Sequence, residues 1–312
     1  MATVIVHTAG LLTTVQDRGR YGYQRFGMPV SGAMDVFSLE LANLLVGNDP
    51  GDACLETTIS GPELEFTGTT WIAITGADMD PQINGQGIPM NTAINVRPGD
   101  RLVFRGLRSG CRAYIAFAGG IAVPHVMGSR STYLRAGIGG FQGRAIMPGD
   151  ELPLGEPVGR PRLKRIPEGL IPEYKHEQTI RIISGPEAHY FEIAGLRSFL
   201  STEYTVTAQS DRMGYRLSGE PIKHKEGMTN IISAGISLGT VQVPGDGQPI
   251  ILMADRQTSG GYARIANVIS VDLTLLAQMR PGDKVCFREI TLVKAQQLIL
   301  LCPTISRTYF VF

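Results

Sequence analysis

A mainly β protein with a few short helices is what this sequence predicts, and three observations carry that expectation. There are 38 glycines and 19 prolines among 312 residues, with no repeating period. Glycine usage is normally about 7% and unperiodic enrichment between apolar runs signals many tight turns. The apolar residues themselves fall in short runs rich in Val, Ile, Thr and aromatics, bounded by Gly, Pro, Asn or Asp, which is the signature of strands. Sustained helical periodicity is scarce.

In chain order, strand-like runs occupy residues 4–6, 54–59, 71–75, 94–96, 102–104 and 112–118. The same texture returns at 179–184, 204–207, 240–243, 249–253, 268–271 and 284–287. The clearest helix covers 36–46: Asp35 is placed to cap it, Leu39, Ala42, Leu45 and Val46 share one face, and Gly47 stops it. Weaker helical patterns lie at 187–199, 273–279 and 292–301.

The two halves echo each other. Ser60-Gly61-Pro62-Glu63 recurs as Ser184-Gly185-Pro186-Glu187. Arg97-Pro98-Gly99-Asp100, followed by Leu102 and Phe104, recurs as Arg280-Pro281-Gly282-Asp283, followed by Val285 and Phe287. Pro148-Gly149-Asp150 supplies a third Pro-Gly-Asp, and each Pro-Gly is a type II turn signal that launches a strand. Turn chemistry repeats by chance in glycine-rich β proteins, but four-residue matches with aligned apolar positions after them point to a duplicated β-barrel. The spacing between the motifs differs between halves, so the echo is not a clean tandem repeat. The expected organisation is an N-terminal barrel over 1–155, a Pro/Arg/Gly-rich linker over 156–178 and a C-terminal barrel over 179–312.

Composition excludes several functions. Lys+Arg of 29 against Asp+Glu of 28 leaves a formal charge of +1, too small a field for a non-specific nucleic-acid binder or a polybasic membrane binder. Only six residues are lysines and the first of them is Lys164. None follows a glycine or sits between methionines, so neither a G-x-x-x-x-G-K-[ST] phosphate loop nor a Met-Lys-Met biotin anchor exists here. Cys54, Cys111, Cys286 and Cys302 are scattered, without metal-ligand spacing, and read as free thiols of a reducing cytosol. The first residues, MATVIVHTAGLLTT, carry no basic leader or cleavage site. The longest apolar stretch, 114–123, is about half of the ~20 residues a spanning helix needs. A cytoplasmic protein is expected.

Chemistry has few places to sit. His7, His125, His176, His189 and His224 form no ligand grouping, and no metal site is assigned. Residues 137–143, GIGGFQG, place Gln142 where a dinucleotide fingerprint needs its third glycine, and no βαβ unit surrounds them. Three stretches are polar beyond what turns require: residues 13–22 followed by 27–35, residues 210–217, and residues 241–249 followed by 254–262. In the second, Arg212 and Arg216 offer guanidinium forks that recognise carboxylates and phosphates. In the third, Gln242, Gln248, Asp255, Gln257, Thr258, Gly260, Gly261 and Tyr262 fall close together. Gln and Thr side chains can hold an amide while Gly-Gly lets backbone N–H groups approach an oxyanion. A small polar ligand is the functional reading, and ordinary surface pairing of Asp with Arg is the bland one.

The same residues resemble a known family. TVQDRGRYGYQRFGMPVSGAMD, LANLLVGN, ITGA at 74–77, VMGSRST, SDRMGYRL and QVPGDGQPIILMADRQTSGGY are similar to allophanate-hydrolase-subunit-2-type proteins. These form the biotin-dependent carboxyltransferase-like family, which includes the C component of the bacterial ATP-dependent 5-oxoprolinase. The resemblance runs from about residue 12 to residue 287 and implies two cyclophilin-like β-barrels. It further implies two partner proteins, a B component of the Kip-inhibitor type and a larger A component. Together the three open 5-oxoproline to glutamate, with ATP and Mg shared with a partner. Relatives within fused chains carboxylate urea, and a Kip-type relative antagonises a histidine-kinase inhibitor. A carboxyltransferase component and a non-catalytic antagonist are therefore the alternatives to the lactam hydrolase. No covalently bound biotin is expected. On chemical type, Arg212 or Arg216 would pair with a substrate carboxylate or a phosphate, and Gln242, Gln248, Gln257 and Thr258 would hold the lactam, with Tyr262 beside them. The Gly260-Gly261 backbone would face developing charge, and Asp255 would serve as general base or magnesium-side carboxylate, with Gln257 and Thr258 beside it as the catalytic group.

Overall fold

The computed structural model describes residues 2–157 and 165–301. Its chain divides into two compact units, Met1–Tyr21 with Ser31–Tyr174, and Gly22–Val30 with Lys175–Phe312.

In the first unit the strands are β1 (Thr3–Thr8), β2 (Leu12–Gln16), β3 (Cys54–Thr58), β4 (Glu63–Phe66), β5 (Thr70–Asp78), β6 (Pro81–Ile83), β7 (Gln86–Gly87), β8 (Ala93–Val96), β9 (Arg101–Phe104), β10 (Ser109–Phe117) and β11 (Glu151–Pro153). They make two sheets, β11-β1-β4-β9-β6-β7 and β2-β3-β10-β5-β8. Their apolar faces meet in one core that includes Val4, Leu64, Phe66, Ile72, Ile115 and Phe117. Helix α1 (Val36–Val46) begins where expected: the Asp35 carboxylate accepts from the Ser38 N–H at 3.1 Å, and Gly47 ends it in the left-handed region at φ +82°.

The second unit contains β12 (Glu177–Ser184), α2 (Ile193–Ser201), β13 (Tyr204–Val206), β14 (Gly214–Ser218), β15 (Asn230–Gly235), β16 (Thr240–Val243), β17 (Ile250–Leu252), β18 (Ser259–Val268), α3 (Leu273–Ala277), β19 (Lys284–Glu289) and α4 (Leu292–Leu301). Strands β12-β19-β13-β14-β17-β16-β18 run in that order, and β12 pairs again with β18, which closes a seven-stranded barrel. The β12–β19 pair is parallel and the others are antiparallel. Strand β15 lies outside the closure, on β18. The barrel interior is filled by Ile180, Ile182, Tyr204, Tyr215, Leu217, Val241, Val243, Ile251 and Phe287, all buried.

The mainly β expectation holds, with corrections at particular elements. The strand expected at 268–271 ends at Val268, and Ser270–Asp272 form a 3-10 turn instead. The β-branched texture there belongs to the last residue of a ten-residue strand, Ser259–Val268, whose first nine residues lie outside the expected run. The helix expected over 187–199 is broken: a 3-10 turn spans Ala188–Tyr190, and α2 starts only at Ile193. Cys54 and Cys111 are buried free thiols, Cys286 is half-buried, and Cys302 lies outside the described residues, as does the apolar terminus at 308–312. No helix among the described residues is long and apolar enough to cross a membrane.

The repeated Pro-Gly-Asp turns are built alike. Gly99, Gly149 and Gly282 have φ of +86°, +90° and +95°, as the third position of a type II turn demands. In each, the Asp carboxylate accepts the N–H that opens the turn, from Arg97, Met147 and Arg280 at 2.7, 2.7 and 2.9 Å. Each turn also docks on a neighbouring strand by an exchanged pair. The glycine N–H donates to Phe66, Val6 and Val206, and those residues donate back to the Asp carbonyls. The echo in the sequence is thus an echo in three dimensions. The Ser-Gly-Pro-Glu echo diverges: Glu63 opens β4, whereas Glu187 precedes the 3-10 turn.

Candidate functional site

All ten residues singled out as a candidate site lie in the second unit, and the barrel separates them by strand parity. Arg216 of β14 is opposite Ile250 of β17, Ile250 is opposite Gln242 of β16, and Gln242 is opposite Arg264 of β18. Directly opposed residues share a face. Their chain neighbours Tyr215, Leu217, Val241, Val243, Ile251, Ala263 and Ile265 are buried in the barrel, so this row is on its outside.

Three groups result. Arg216, Gln248 and Tyr262 line one open cleft of about 470 Å³, together with Thr207, Gln209, Ser218, Asp246 and Ile250. Arg216 is exposed and makes no ion pair among the described residues. Gln248 is wall rather than ligand donor: its Oε1 accepts from the Gly219 N–H at 3.0 Å and its Nε2 donates to the Gly219 carbonyl at 3.1 Å. The Thr207 hydroxyl is buried with no hydrogen-bond partner among the described residues, an acceptor and donor held in reserve beside the cleft.

The second group is Gln242, Gln257 and Gly260. Gln242 is 2% exposed although on the outer face, and its Nε2 donates to the Tyr262 carbonyl at 3.3 Å. A Cβ at Gly260 would stand 2.9 Å from Gln242 Nε2, 3.1 Å from Gln257 Nε2 and 2.5 Å from Ile236 Cδ1. Glycine is what lets the two carboxamides converge there. Gly261 is different, since a Cβ would meet nothing nearer than 3.4 Å. Thr258 is half-buried, and its carbonyl accepts from the Ile236 N–H at 3.1 Å.

Arg212 and Asp255 form the third group. The guanidinium grips the carboxylate with two hydrogen bonds of 3.0 Å each, both side chains are under a tenth exposed, and the Asp255 N–H donates to the Arg212 carbonyl at 2.8 Å. Sequence reasoning offered each to a ligand; the fold gives them to one another. The buried pair ties the 210–214 loop to the 253–255 turn.

Several groups were missed. Thr207, Gln209, Ser218 and Asp246 join the cleft, and the alternation of Arg216 and Ser218 with buried Tyr215 and Leu217 was the available signal. Glu187 takes Arg264 in a bidentate pair at 2.6 Å, and the guanidinium holds its carboxyl below the ordinary range. Within the first polar stretch, Asp17 and Arg20 are taken up by structure in the first unit. Asp17 accepts from the Gly19 and Arg130 N–H groups at 2.8 and 2.6 Å and from the Ser129 and Ser131 hydroxyls. Arg20, fully buried, donates to the Val126 and Ser131 carbonyls at 2.9 and 2.8 Å.

Residues 26–289 match the carboxyltransferase domain, subdomain A and B. The chain belongs to this family. It is 40% identical over 287 residues to the C subunit of Escherichia coli 5-oxoprolinase, covering 92% of this chain and 91% of that one. The corresponding Haemophilus influenzae 5-oxoprolinase protein is 36% identical, with 91% and 90% covered. Among solved structures, the urea carboxylase of Kluyveromyces lactis superposes on this carboxyltransferase domain with a TM-score of 0.91 at 33% identity, over 96% of this chain. The chain spans 28% of that carboxylase, and 17% of the Saccharomyces cerevisiae urea amidolyase to which it is 35% identical over 93% of its own length.

The nucleotide and magnesium implied by the family resemblance can be tested against these donors. The cleft presents one guanidinium, Arg216, and one carboxylate, Asp246, whose Oδ1 already accepts from the Gln248 N–H at 3.0 Å. No group of three or more His, Cys, Asp or Glu suited to a metal occurs among the described residues. A triphosphate with its cation needs more charge than this. The cleft does not fit that group.

Proposed function

We propose that this carboxyltransferase-family chain is the C subunit of a 5-oxoprolinase, and that the cleft on the outer face of its second unit holds the small cyclic amide acid. The carrying observation is the cleft itself: a single exposed guanidinium at Arg216, with Gln209, Ser218 and Tyr262 lining the same space. Identity to the Escherichia coli protein over nine-tenths of both chains supports the reading. Arg216 takes the α-carboxylate, as a fork does. Tyr262 holds the ring amide, while the Gln242 carboxamide, which donates to the Tyr262 carbonyl, supports that residue from outside the cleft. Gln248, Gly260 and the Arg212–Asp255 pair keep these positions fixed. The nucleotide is bound and used in the assembled complex with the A and B components.

The test is reconstitution. This chain mixed with its purified partner proteins, ATP and 5-oxoproline should release glutamate, and omission of this chain should abolish release. Release that persists at full rate in Arg216→Ala would remove the cleft from the account, while no release in any mixture would leave binding to the B component as the function.

A second reading has its own observation. The superposition on urea carboxylase at a TM-score of 0.91 supports carboxyl transfer to urea or a related amide, which would demand a biotinylated carrier in the assay.

A further inference from the structure

The cleft on the outer face of the second unit carries one charge of each sign. Arg216 and Asp246 both line it, and no other charged side chain does. Neither makes an ion pair among the described residues, with the other or with any third group. Two opposite charges left unpaired around a space of about 470 Å³ describe a small ligand that itself carries both.

Asp246 is exposed yet held in place. It sits in the 244–249 turn between β16 and β17, where its Oδ1 accepts from the Gln248 N–H at 3.0 Å. Gly247 follows at φ +75°, its N–H donates to the Pro244 carbonyl at 3.0 Å, and its carbonyl accepts from the Ile222 N–H at 2.9 Å. A Cβ at Gly247 would stand 2.8 Å from the Ile222 nitrogen, so the turn is pressed against that backbone. Gln248 is fixed in its turn by both polar groups of Gly219. One carboxylate oxygen of Asp246 is therefore anchored, and the other, Oδ2, has no partner among the described residues.

A lactam gives such a carboxylate little to hold, because its ring nitrogen is neutral and carries a single N–H. Opening the ring with water breaks the C–N bond and leaves a carboxylate on the former carbonyl carbon. The freed amine takes a proton at neutral pH and becomes an ammonium with three donors. The α-carboxylate is the same before and after, so Arg216 meets both forms alike. We propose that Asp246 tells them apart: it takes the α-ammonium while Arg216 takes the α-carboxylate, and the cleft holds zwitterionic α-amino acids, the ring-opened product among them, more tightly than the lactam. The proposal rests on the reading of this cleft as the lactam site. Product then competes with substrate, which makes the cleft a point of product inhibition.

Titration calorimetry on the full chain with L-glutamate, glutarate and 5-oxoproline tests this. Glutarate keeps both carboxylates of glutamate and lacks its ammonium. Glutamate should bind about fivefold or more tighter than either, the upper range for an exposed ion pair strengthened by a charge-assisted hydrogen bond. Asp246→Asn, which keeps the Oδ1 acceptor for Gln248, should remove that advantage and cost the lactam much less, with thermal unfolding unchanged. Glutamate that binds no tighter than glutarate overturns the proposal, and so does an advantage that survives Asp246→Asn. Equal weakening of glutamate and 5-oxoproline by Asp246→Asn overturns it as well, since Asp246 would then only support the turn. In each of these cases, 5-oxoproline that still binds the parent chain, and binds Arg216→Ala more weakly, leaves the lactam reading standing. Binding of none of the three overturns both.

Discussion

Glu187 and Arg264 are about one-eighth and one-sixth exposed, and their two short hydrogen bonds tie the 184–190 segment to β18. The Arg264 hydrogen bond keeps the Glu187 carboxyl ionised below its ordinary 4.5. A depressed folded pKa adds stability that is full above the unfolded value and disappears as pH falls through the folded one. Glu187→Gln should therefore lower the melting temperature at pH 7 and flatten its decline between pH 5 and 3, measured by thermal unfolding across that range. Arg212 and Asp255 predict differently, because both are buried. Asp255→Ala removes the carboxylate that grips a buried guanidinium and should cost about 3–5 kcal/mol in denaturant unfolding, whereas replacing both by Met and Leu should cost much less. These pairings were only half legible in sequence. Arg, Asp and Gln announce polar chemistry by type, but whether a fork faces a ligand or Asp255 depends on which segments the barrel brings together, and those residues are 43 apart.

At the scale of elements, the turns were the most legible part, because a type II turn is fixed by four consecutive residues. A Cβ at Gly282 or Gly99 would meet nothing within 4 Å, so substitution there isolates backbone conformation from packing. Gly282→Ala should cost about 1–2 kcal/mol through its φ of +95° alone. Gly261→Ala, with room and no positive φ, should fall within about 0.5 kcal/mol of the parent in the same unfolding assay. Gly260→Ala should be worse than either neighbour for function, since its Cβ would press on Gln242, Gln257 and Ile236. Strand β18 was the least legible element. Its Ser-Gly-Gly start suppresses the strand pattern, and the bulge against β16 breaks the two-residue alternation, as the shift of pairing between Val241 and Gln242 records. The site inherited that loss, because Arg216 and Tyr262 come together only once β14, β17, β16 and β18 are in register.

For the molecule as a whole, the question is which relative's chemistry its cleft was shaped for, and the two candidates differ in one chemical feature. 5-Oxoproline carries a carboxylate and urea does not. If Arg216 meets that carboxylate, its removal forfeits a charge-assisted interaction of about 1.5–3 kcal/mol, which is roughly 10- to 150-fold at 1.4 kcal/mol per decade. Arg216→Ala in the reconstituted complex should raise KM for 5-oxoproline by such a factor with a smaller change in kcat, because the carboxylate is remote from the amide carbon and binds alike in ground and transition states. The barrel should be untouched, as the side chain is exposed and makes no ion pair among the described residues. For a neutral amide such as 2-pyrrolidinone, the parent should bind weakly and Arg216→Ala should not bind it more weakly still. Steady-state kinetics on the two lactams separate these outcomes. An equal loss on both would mean that Arg216 supports the cleft without reading the carboxylate, and the substrate would then have to be sought among uncharged amides of the urea type.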